Sequence, residues 1–480
     1  MNKIVIVGGG IAGLSAAYFL SKKILAEEFP AQIILLEADS VWGGKIRTER
    51  SEGFVIEGGP DTFLATKPQA VALCKELGLS ERLHGTNPAQ RSTYVLHNGR
   101  LLPLPEGLAM MIPTHFGSMA TSRLLSWPQK ARMGLDFLIP PAPLNGDESL
   151  GGFISRRLGR GAYENLIEPL MSGIYAGDGD ALSLASTFPS LRDMEVQHGG
   201  LVRGAIERKM EAARAGKQTQ GSRSAFLTPT LGLAEIVETL TAALRKNGVE
   251  LRLGARVSRL SQLGVGYQLE LQNETLHADG LVLAAPAYAS GALLAEIDPG
   301  LSAELAGVPY VSTATISLAY RKEDLSSALD GYGYVIPRRE GRRALACTWT
   351  STKFPHRAPD GFALLRVFVG RAGQEQDIPW NETGLLTLAR QELEMTLGIR
   401  ANPVLSRVFI WEKAMPQYNL GHPQRLGRID TALQRHPALA LAGNGYRGIG
   451  IPDCIRSGES AAGQISAFLQ AQSQTQAMPG

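Results

Sequence analysis

The first forty residues alternate between apolar runs and a helical pattern. Residues 4–7 (IVIV) form a short β-branched run, which predicts a buried parallel strand. From Leu14 onward apolar residues recur at helical spacing, and the lysine pair at 22–23 suits the C-terminal end of a helix. A second apolar run at 33–37 predicts another strand. Together these segments predict a βαβ unit, the element from which nucleotide-binding sheets are built.

The pattern changes in the next part of the chain. After a predicted helix at 68–79, residues 100–222 are helical but irregular, with prolines at 103, 105, 113, 128, 140, 141 and 143. Within this region, residues 118–140 predict an amphipathic surface helix, which either packs on the rest of the protein or rests on a membrane. The polar, basic stretch 204–224 predicts a loop or linker.

Strand patterns dominate the second half of the chain. A predicted helix at 231–246 precedes strand-like segments at 249–260, 267–273 and 280–284. Polar residues at alternate positions, Thr313, Thr315 and Ser317, predict an antiparallel sheet with one wetter face. We expect its strands at 313–320, 332–336, 344–350 and 362–369. The remaining predicted elements are a helix at 383–397, strands at 404–411 and 439–442, and a C-terminal helix.

This order of elements predicts a mixed α/β fold in which one domain is assembled from separated pieces of chain. We expect a discontinuous Rossmann-like, nucleotide-binding domain formed by residues 1–85, 223–298 and 404–480. A mainly helical domain at 86–222 and an antiparallel-sheet domain at 299–403 are inserted into it. The length of 480 residues suits two or three domains.

Composition and charge narrow the class of protein. The net charge of +3 is too small to indicate nucleic acid as a main partner, although it suits an anionic small substrate. The three cysteines, at 74, 347 and 454, form no C-x-x-C pair, so neither a disulfide framework nor a Cys-based metal site is expected. The N-terminus does not resemble a signal peptide, and no apolar stretch reaches the ~20 residues needed to cross a bilayer. We expect a cytoplasmic protein with peripheral membrane contact at most.

The first candidate site is the glycine-rich turn GGGIAG at 8–13, between the predicted strand and helix. In a G-x-G-x-x-G turn, Gly8 permits the tight turn, Gly10 lets a pyrophosphate approach the backbone, and Gly13 lets helix and strand pack closely. Glu37 ends the second strand, where a carboxylate accepts hydrogen bonds from a ribose. A glycine turn without a ligand is the alternative, but the flanking strand, helix and acid favour a dinucleotide.

Each of three further segments has two possible interpretations, an ordinary structural role and a cofactor-binding role. Gly44 and Lys45 lie just past the ribose-binding strand and either approach the cofactor or form a loop with a solvated lysine. Residues 57–62 (EGGPDT) either lay backbone amides against a flat ring or form a simple turn. Near the C-terminus, the glycine-rich 443–458 segment enters a helix whose N-terminus can stabilise negative charge, and Asp453 could simply cap that helix.

At this point the chain resembles the flavin-dependent porphyrinogen oxidases, in particular the soluble bacterial type that oxidises coproporphyrinogen III. The resemblance runs through nearly the whole sequence. It is most specific in EGGPDTF (57–63), EPLMSGIYAGD (168–178), ACTWT (346–350), MPQYNLGH (415–422) and GIGIPDC (448–454). The SGIYAGD and MPQYNLGH segments distinguish this family from the amine oxidases and carotenoid desaturases, which resemble it only at the glycine motifs.

The resemblance implies FAD as the cofactor and assigns it a set of residues. These are Gly8, Gly10, Ile11, Ala12 and Gly13 at the pyrophosphate, Glu37 at the ribose, Gly44 and Lys45 at the diphosphate, Gly58, Gly59, Pro60, Asp61 and Thr62 at the isoalloxazine, Val257 at the adenine, and Trp411, Ile449, Gly450 and Ile451 as flavin neighbours. One departure is Asn444 and Arg447, where relatives usually carry small and acidic residues.

The resemblance also implies the chemistry and the substrate side. A porphyrinogen is oxidised in three two-electron rounds, with hydride passing to flavin N5 and O₂ reoxidising the flavin to give H₂O₂. Lys67 matches a basic position that holds substrate carboxylates, and Gly173 and Ile174 lie on the pocket wall. No general base, catalytic residue or metal is assigned. Further candidates to bind the substrate propionates are four arginines, each of which could equally be a solvated surface charge: Arg91, Arg100, Arg338 and Arg339.

Three alternatives stay open from the sequence. The nearest is the same chemistry on protoporphyrinogen IX, which carries two propionates rather than the four of coproporphyrinogen III. The more distant ones are a flavin amine oxidase and a non-catalytic nucleotide-binding protein.

Overall fold

A parallel sheet built from distant parts of the chain forms the centre of the protein. The computed structural model describes residues 1–27, 30–109, 112–113, 116–143, 146–214, 224–326 and 328–477. The five strands of this sheet are, in spatial order, Glu250–Arg252, Ala31–Leu36, Asn2–Val7, Gly280–Leu283 and Leu439–Leu441. The prediction of a mixed α/β protein with a parallel sheet assembled from separated segments is therefore confirmed.

The first strand is apolar throughout because both of its faces are buried. Ile4 and Ile6 face a core that includes the helices Ile11–Glu27, Ala234–Lys246 and Ile451–Ala477. Val5 and Val7 face a second core on the opposite side of the sheet. Gly458 lets the first and last of these helices approach closely, since a Cβ added there would lie 2.3 Å from the Ala12 carbonyl oxygen. This packing fixes the glycine turn at 8–13 against the C-terminal part of the chain.

A second, seven-stranded sheet stands beside the first. Its strands are, in spatial order, Leu405–Pro416, Tyr310–Arg321, Phe362–Val369, Ala344–Trp349, Gly331–Val335, Ser92–His97 and Arg100–Pro103. Neighbours are antiparallel except for the pair Gly331–Val335 and Ser92–His97. The helix Glu382–Leu397 packs on one face through an apolar core. The polar residues that alternate along 313–317 are thereby directed to the opposite face.

The predicted domain boundaries do not match this sheet at two places. Residues 92–103, which we expected in the helical insertion, form a hairpin of the sheet, and 405–416, which we expected in the nucleotide-binding domain, forms its edge strand. Val95 and Leu96 are both buried, so the hairpin lacks the alternation that signals a strand.

The region between the hairpin and residue 214 is largely helical, as expected, but two predictions within it are wrong. The sequence 204–214 belongs to a helix rather than a linker, and 215–223 lie outside the described residues. The single helix predicted at 118–140 is interrupted before Ser126, which caps a new helix. The helical elements here are Phe116–Thr121, Trp127–Gly134, Leu150–Leu158, Arg160–Ala162, Tyr163–Ile167, Glu168–Tyr175, Leu184–Thr187, Pro189–His198 and Leu201–Arg214.

Smaller elements complete the two layers. The other helices are Pro68–Glu76, Ala287–Leu294, Pro299–Ala306, Thr350–Lys353 and His422–Leu433. The other strands are Thr48–Ser51 with Phe54–Glu57, Phe63–Leu64 and Leu83–Gly85 with Phe226–Pro229, Leu108–Ala109 with Ile112–Pro113, and Arg259–Leu263 with Gly266–Glu270 and Thr275–Ala278. Among the helices in the described ranges, none has both the length and the apolar character needed to cross a membrane.

A histidine pair joins the strand Leu83–Gly85 to the short 3₁₀ turn Pro355–Arg357. The ring centroids of His84 and His356 are 4.6 Å apart. His356 immediately precedes Arg357, whose guanidinium donates to Glu57 Oε1 at 2.9 Å. Burial, together with the positive charge of Arg357, lowers the pKa of His356 from 6.5 to about 4. His356 is therefore neutral in the folded protein at neutral pH.

This depressed pKa predicts a loss of stability in mild acid. As the pH falls from about 6.5 to about 4, the unfolded chain takes up a proton at His356 that the folded chain does not, so the free energy of unfolding decreases. Because the ring is partly exposed and solvent screens the nearby charges, the His356 contribution is about 1–2 kcal/mol over that window. Urea unfolding at a series of pH values checks this, with His356→Gln as the comparison. Identical pH profiles of the two proteins would contradict the assignment.

Candidate active site

The glycine turn at 8–13 leaves open space at one position. Gly8 has φ +112°, and a Cβ on Gly13 would lie 1.9 Å from the Gly8 carbonyl oxygen, so both positions need glycine for packing. A Cβ on Gly10, by contrast, would meet no atom within 4 Å. Ile11 and Ala12 follow as the first helical residues. The turn is therefore an open cradle at a helix N-terminus, where free N–H groups favour an anion.

Glu37 lies beside this cradle, at the end of the second strand. Its Oε2 accepts from the Gly9 N–H at 2.6 Å, and its Oε1 accepts from the Asp39 N–H at 2.8 Å. The Ala255 N–H donates to the Glu37 carbonyl at 2.8 Å. This contact brings the partly buried Val257, two residues farther on, to the same edge of the sheet.

Lys45 is a half-buried cation on the other side of the cradle. The Gly43 N–H donates to Gly9 O at 2.9 Å, and a Cβ on Gly44 would be 3.2 Å from Gly10 Cα, so the two glycine segments are in close contact. The Lys45 Nζ lies 3.4 Å from Asn444 Oδ1 and has no carboxylate partner among the described residues. Burial lowers its pKa to about 8. A buried ammonium without a counter-charge is suited to an anionic ligand.

The segment 58–62 is held against the polar face of the seven-stranded sheet. The Gly58 carbonyl accepts from Thr315 Oγ1 at 2.6 Å and from Trp411 Nε1 at 2.8 Å. A Cβ on Gly59 would lie 1.8 Å from the Lys45 carbonyl oxygen, so this position also requires glycine. The structure therefore brings Gly58, Gly59 and Trp411 together, next to Lys45.

Charged residues anchor the rest of this segment, which continues through Pro60. Burial alone would raise the pKa of Asp61, but Lys353, 3.1 Å away, and Arg366 lower it to about 2. Thr62 Oγ1 donates to Asp61 Oδ1 at 3.1 Å. Arg366, which is 2% exposed, donates to the Gly59 carbonyl. Sequence analysis missed Arg366, although a lone arginine inside the apolar run FALLRVFV was a usable signal.

The C-terminal turn 448–451 closes the site from a third direction. Gly448 has φ +119°, and the Gly450 N–H donates to Asp453 Oδ2 at 3.3 Å. Ile449 packs towards the helical layer, whereas Ile451 is buried in the core below the first sheet. Of the two residues that depart from the family pattern, Asn444 contacts Lys45, while Arg447 is exposed and pairs with Asp430.

Asp453 does more than cap the last helix. It is 4% exposed and accepts from Lys67 Nζ at 2.6 Å, whereas the Lys67 side chain is 43% exposed. The structure thus places Lys67 directly beside the C-terminal turn, with its ammonium reachable from solvent. Lys67 and Asp453 are 386 positions apart in the chain, so no local pattern could show this pair.

An apolar wall faces this region from the helical layer. Gly173 and Ile174 lie on the exposed side of the helix Glu168–Tyr175, and Ile174 is 46% exposed. Where this helix ends, Ala176 packs with Leu345 and Ala346 of the sheet, together with partly buried Val335, Phe368 and Met415. Of the candidate arginines, Arg338 donates to the Ala372 carbonyl at 3.0 Å and Arg339 to Asn165 Oδ1 at 2.6 Å, while Arg91 bonds the Pro88 carbonyl and Arg100 is exposed.

The residues present fit a dinucleotide with a charged diphosphate. The open position at Gly10, the helix N-terminus behind it and the uncompensated Lys45 all favour negative charge at one place. The 58–62 and 448–451 segments reach the same place from two other parts of the chain. A Rossmann-like sheet with an anion-binding cradle beside a second, mixed sheet is the arrangement expected of a flavoprotein oxidoreductase.

The comparisons with known proteins agree. The chain belongs to the family of flavin-containing amine oxidoreductases, whose model matches residues 11–466. Similar proteins include coproporphyrinogen III oxidase of Bacillus subtilis (strain 168), 39% identical with 97% of this chain and 98% of that protein covered. The coproporphyrinogen III oxidase of Staphylococcus aureus (strain NCTC 8325 / PS 47) is 32% identical, with 98% and 100% covered. FAD is the cofactor of this chain.

Solved structures show the same fold. A crystal structure of a protein from Exiguobacterium sp. 255-15, provisionally assigned as a protoporphyrinogen oxidase, superposes with a TM-score of 0.84 at 32% identity and covers 98% of this chain and 99% of that one. Cyclohexylamine oxidase from Brevibacterium oxydans IH-35A has a TM-score of 0.68 at 17% identity, with 98% and 99% covered. The second likeness concerns the fold alone.

Proposed function

We propose that this protein is an FAD-dependent oxidase that converts coproporphyrinogen III to coproporphyrin III with O₂ as the electron acceptor. The observation that carries the proposal is the 39% identity to the Bacillus subtilis coproporphyrinogen III oxidase over 97% of this chain. The juxtaposition of the candidate flavin segments with an apolar wall and an accessible ammonium supports it. Each molecule of substrate loses six hydrogens in three two-electron rounds, and three O₂ are reduced to H₂O₂.

The residues of the chain bind and orient rather than provide a nucleophile. When bound, FAD supplies the hydride acceptor at N5 and returns the electrons to O₂. Gly10 and Lys45 would hold its diphosphate, and the Gly58 and Gly59 carbonyls, fixed by Thr315, Trp411 and Arg366, would hold the backbone beside its ring. Val335, Phe368 and Ile174 supply apolar surface for the macrocycle and exclude water. Orientation of a reacting carbon in such a pocket is itself a large contribution to rate.

Protoporphyrinogen IX is the second candidate substrate. Protoporphyrinogen oxidases also match this chain, at 32% identity for the protein of Bos taurus and 29% for the chloroplastic protein of Oryza sativa. The two substrates differ in their number of propionates, so the cations at the pocket decide between them. Fluorescence growth in air with each porphyrinogen at equal concentration tests the proposal. We expect coproporphyrinogen III to be oxidised faster than protoporphyrinogen IX. Faster oxidation of protoporphyrinogen IX, or no oxidation of either substrate, would overturn the proposal.

Lys67 provides a residue-level prediction for this substrate. Replacing it by methionine removes a solvent-accessible ammonium beside the candidate flavin turn, so KM for coproporphyrinogen III should rise about tenfold with little change in kcat. Lys67→Arg should keep most of the affinity. Lys75→Met, an exposed lysine on the helix that begins next to Lys67, is the matched control. Equal KM values for Lys67→Met and Lys75→Met would remove Lys67 from the site.

The cellular location of the protein is a second part of the proposal. We infer a cytoplasmic protein whose membrane contact is peripheral at most. Trp127 and Leu138, in the helical layer, are 72% and 78% exposed and are the apolar side chains best placed for such a contact. Washing the membrane pellet with high salt and no detergent should release all of the activity, and activity that stays in the washed pellet would contradict this inference.

A further inference from the structure

A buried tyrosine holds the loop that leads into the C-terminal turn. Tyr418 is fully buried, and its hydroxyl donates to the Asn444 carbonyl at 2.6 Å while accepting from the Gly448 N–H at 2.9 Å. One oxygen therefore satisfies two backbone groups four residues apart. These two groups lie at the two ends of the short loop 444–448, so the hydroxyl sets the width of the loop.

A histidine holds the middle of the same loop. The His422 ring stacks on Tyr418 with centroids 4.2 Å apart and an interplanar angle of 13°. Its Nε2 lies 2.8 Å from the Tyr446 carbonyl. Because a carbonyl only accepts, Nε2 carries the proton. His422 is 3% exposed, and burial lowers its pKa, so the ring is neutral at neutral pH. The two side chains thus bind three backbone groups of one five-residue loop.

The loop 444–448 can adopt other conformations when the hydrogen bonds from Tyr418 and His422 are absent. Gly443 precedes the loop with φ +128°, and Gly448 ends it with φ +119°; only glycine adopts these angles freely. It connects the strand Leu439–Leu441 to the turn 449–451, and its Asn444 side chain is the hydrogen-bond partner of Lys45. A change in the loop therefore reaches both the candidate diphosphate cation and the candidate flavin turn.

We propose that Tyr418 and His422 are positioning residues that hold the 444–448 loop in its cofactor-binding conformation, so that Lys45 and the 449–451 turn are presented to the flavin before it binds. Both side chains are buried by the protein itself, so neither has an exposed surface for the cofactor. This inference rests on the proposed placement of the flavin against 449–451 and does not depend on which porphyrinogen is oxidised. It assigns a role to the segment MPQYNLGH, whose Tyr418 and His422 supply these contacts from the start of the helix His422–Leu433.

Loss of either side chain should shift the population of loop conformations in the free protein. Without the Tyr418 hydroxyl, the partly buried Asn444 carbonyl and Gly448 N–H lose this partner, so the free protein favours loop conformations in which both are solvated. FAD binding must then restore the competent conformation, and the apparent dissociation constant rises in proportion to its lost population. We expect Tyr418→Phe to weaken FAD binding about 10- to 100-fold. His422→Phe, which keeps a ring but loses the donor, should weaken it about tenfold, and His422→Gln, which retains a donor, should recover most of that loss.

The test is titration of the apoprotein of each variant with FAD, followed by the visible spectrum and reduction potential of the bound flavin. Tyr267→Phe is the matched control, because it removes a buried phenol hydroxyl that has no hydrogen-bond partner among the described residues and that lies in a separate, three-stranded sheet. We expect weaker FAD binding and an altered flavin potential in Tyr418→Phe and His422→Phe, and wild-type values in Tyr267→Phe. Wild-type FAD affinity and potential in Tyr418→Phe would overturn the proposal.

Comparing the stability of the apoprotein with its FAD affinity distinguishes a positioning role from a purely structural one. Such a role would lower the unfolding free energy of the apoprotein while leaving FAD affinity at temperatures well below unfolding unchanged, and this too would overturn the proposal. If Tyr418→Phe does not fold, the His422→Phe and His422→Gln pair decides: a difference in FAD affinity between them supports positioning, and equal affinities contradict it. Failure of the proposed function has a different signature, namely a protein that binds FAD but does not oxidise coproporphyrinogen III.

Discussion

Gly10→Val should give a folded protein that no longer binds FAD. Apart from its chain neighbours, no atom of the described residues lies within 4 Å of a Cβ at this position, and Gly10 does not have a positive φ, so the apoprotein can accept the side chain. The space it fills is the open cradle where the pyrophosphate approaches the backbone. We expect FAD affinity to fall by at least about 100-fold, because the ligand and the added methyl groups compete for the same volume. Equilibrium dialysis of the purified apoprotein with FAD measures this.

Two other glycines define the controls. Gly427 also has open space around its Cβ position, but it lies on the exposed side of the helix His422–Leu433, so Gly427→Val should keep full FAD affinity. Gly13→Ala should behave in the opposite way to Gly10→Val. Its Cβ would lie 1.9 Å from the Gly8 carbonyl oxygen, so we expect loss of stability rather than selective loss of cofactor. A yellow Gly10→Val protein with wild-type FAD affinity would exclude the cradle as the binding site.

Lys45→Met should stabilise the apoprotein and weaken FAD binding at the same time. Burial holds the pKa of Lys45 at about 8, against 10.5 for an unperturbed lysine, so at pH 7 the folded chain carries a desolvated charge. Removing that charge should raise the free energy of unfolding of the apoprotein by roughly 2–3 kcal/mol. FAD affinity should fall about 100-fold, because a charge-assisted contact to the diphosphate is lost.

The pH dependence provides an independent check on the same residue. FAD binds the protein with a charged Lys45, so wild-type affinity should be constant below pH 8 and decrease as the pH rises above about 8. In Lys45→Met this decrease should be absent. Lys246→Met, on an exposed helix end, should behave as the wild type. A Lys45→Met variant with less stable apoprotein and unchanged FAD affinity would contradict the assignment of Lys45 to the diphosphate.

Sequence patterns predicted the parts of the site that are local in the chain. The GGGIAG turn and Glu37 could be recognised because strand, turn, helix and acid follow one another within forty residues. The segments near Lys45, Gly58 and Gly450 were identified by their glycines and by family resemblance. Their assignment to FAD stays a prediction for the individual residues, although the structure brings them to one place.

The contacts that fix these segments were beyond sequence reasoning, because their partners are far apart in the chain. Thr315 and Trp411 bond the Gly58 carbonyl from more than 250 residues away, and Arg366 reaches Gly59 across 307 positions. The polar alternation at 313–317 predicted a wetter sheet face, but not that this face would hold the glycine segment. Likewise, the strand Ser92–His97 shows no alternation because Val95 and Leu96 are both buried, and its pairing with the distant strand Gly331–Val335 leaves no local signal.

Anaerobic mixing of the purified holoprotein with coproporphyrinogen III shows whether one FAD, held by three distant stretches of this chain, closes a pocket for a tetracarboxylate tetrapyrrole. We predict one FAD per chain, rapid bleaching of its visible absorption by coproporphyrinogen III, slower bleaching by protoporphyrinogen IX, and recovery of the colour with H₂O₂ formation when air is admitted. A colourless protein, or a flavin that keeps its colour with both porphyrinogens, would contradict it.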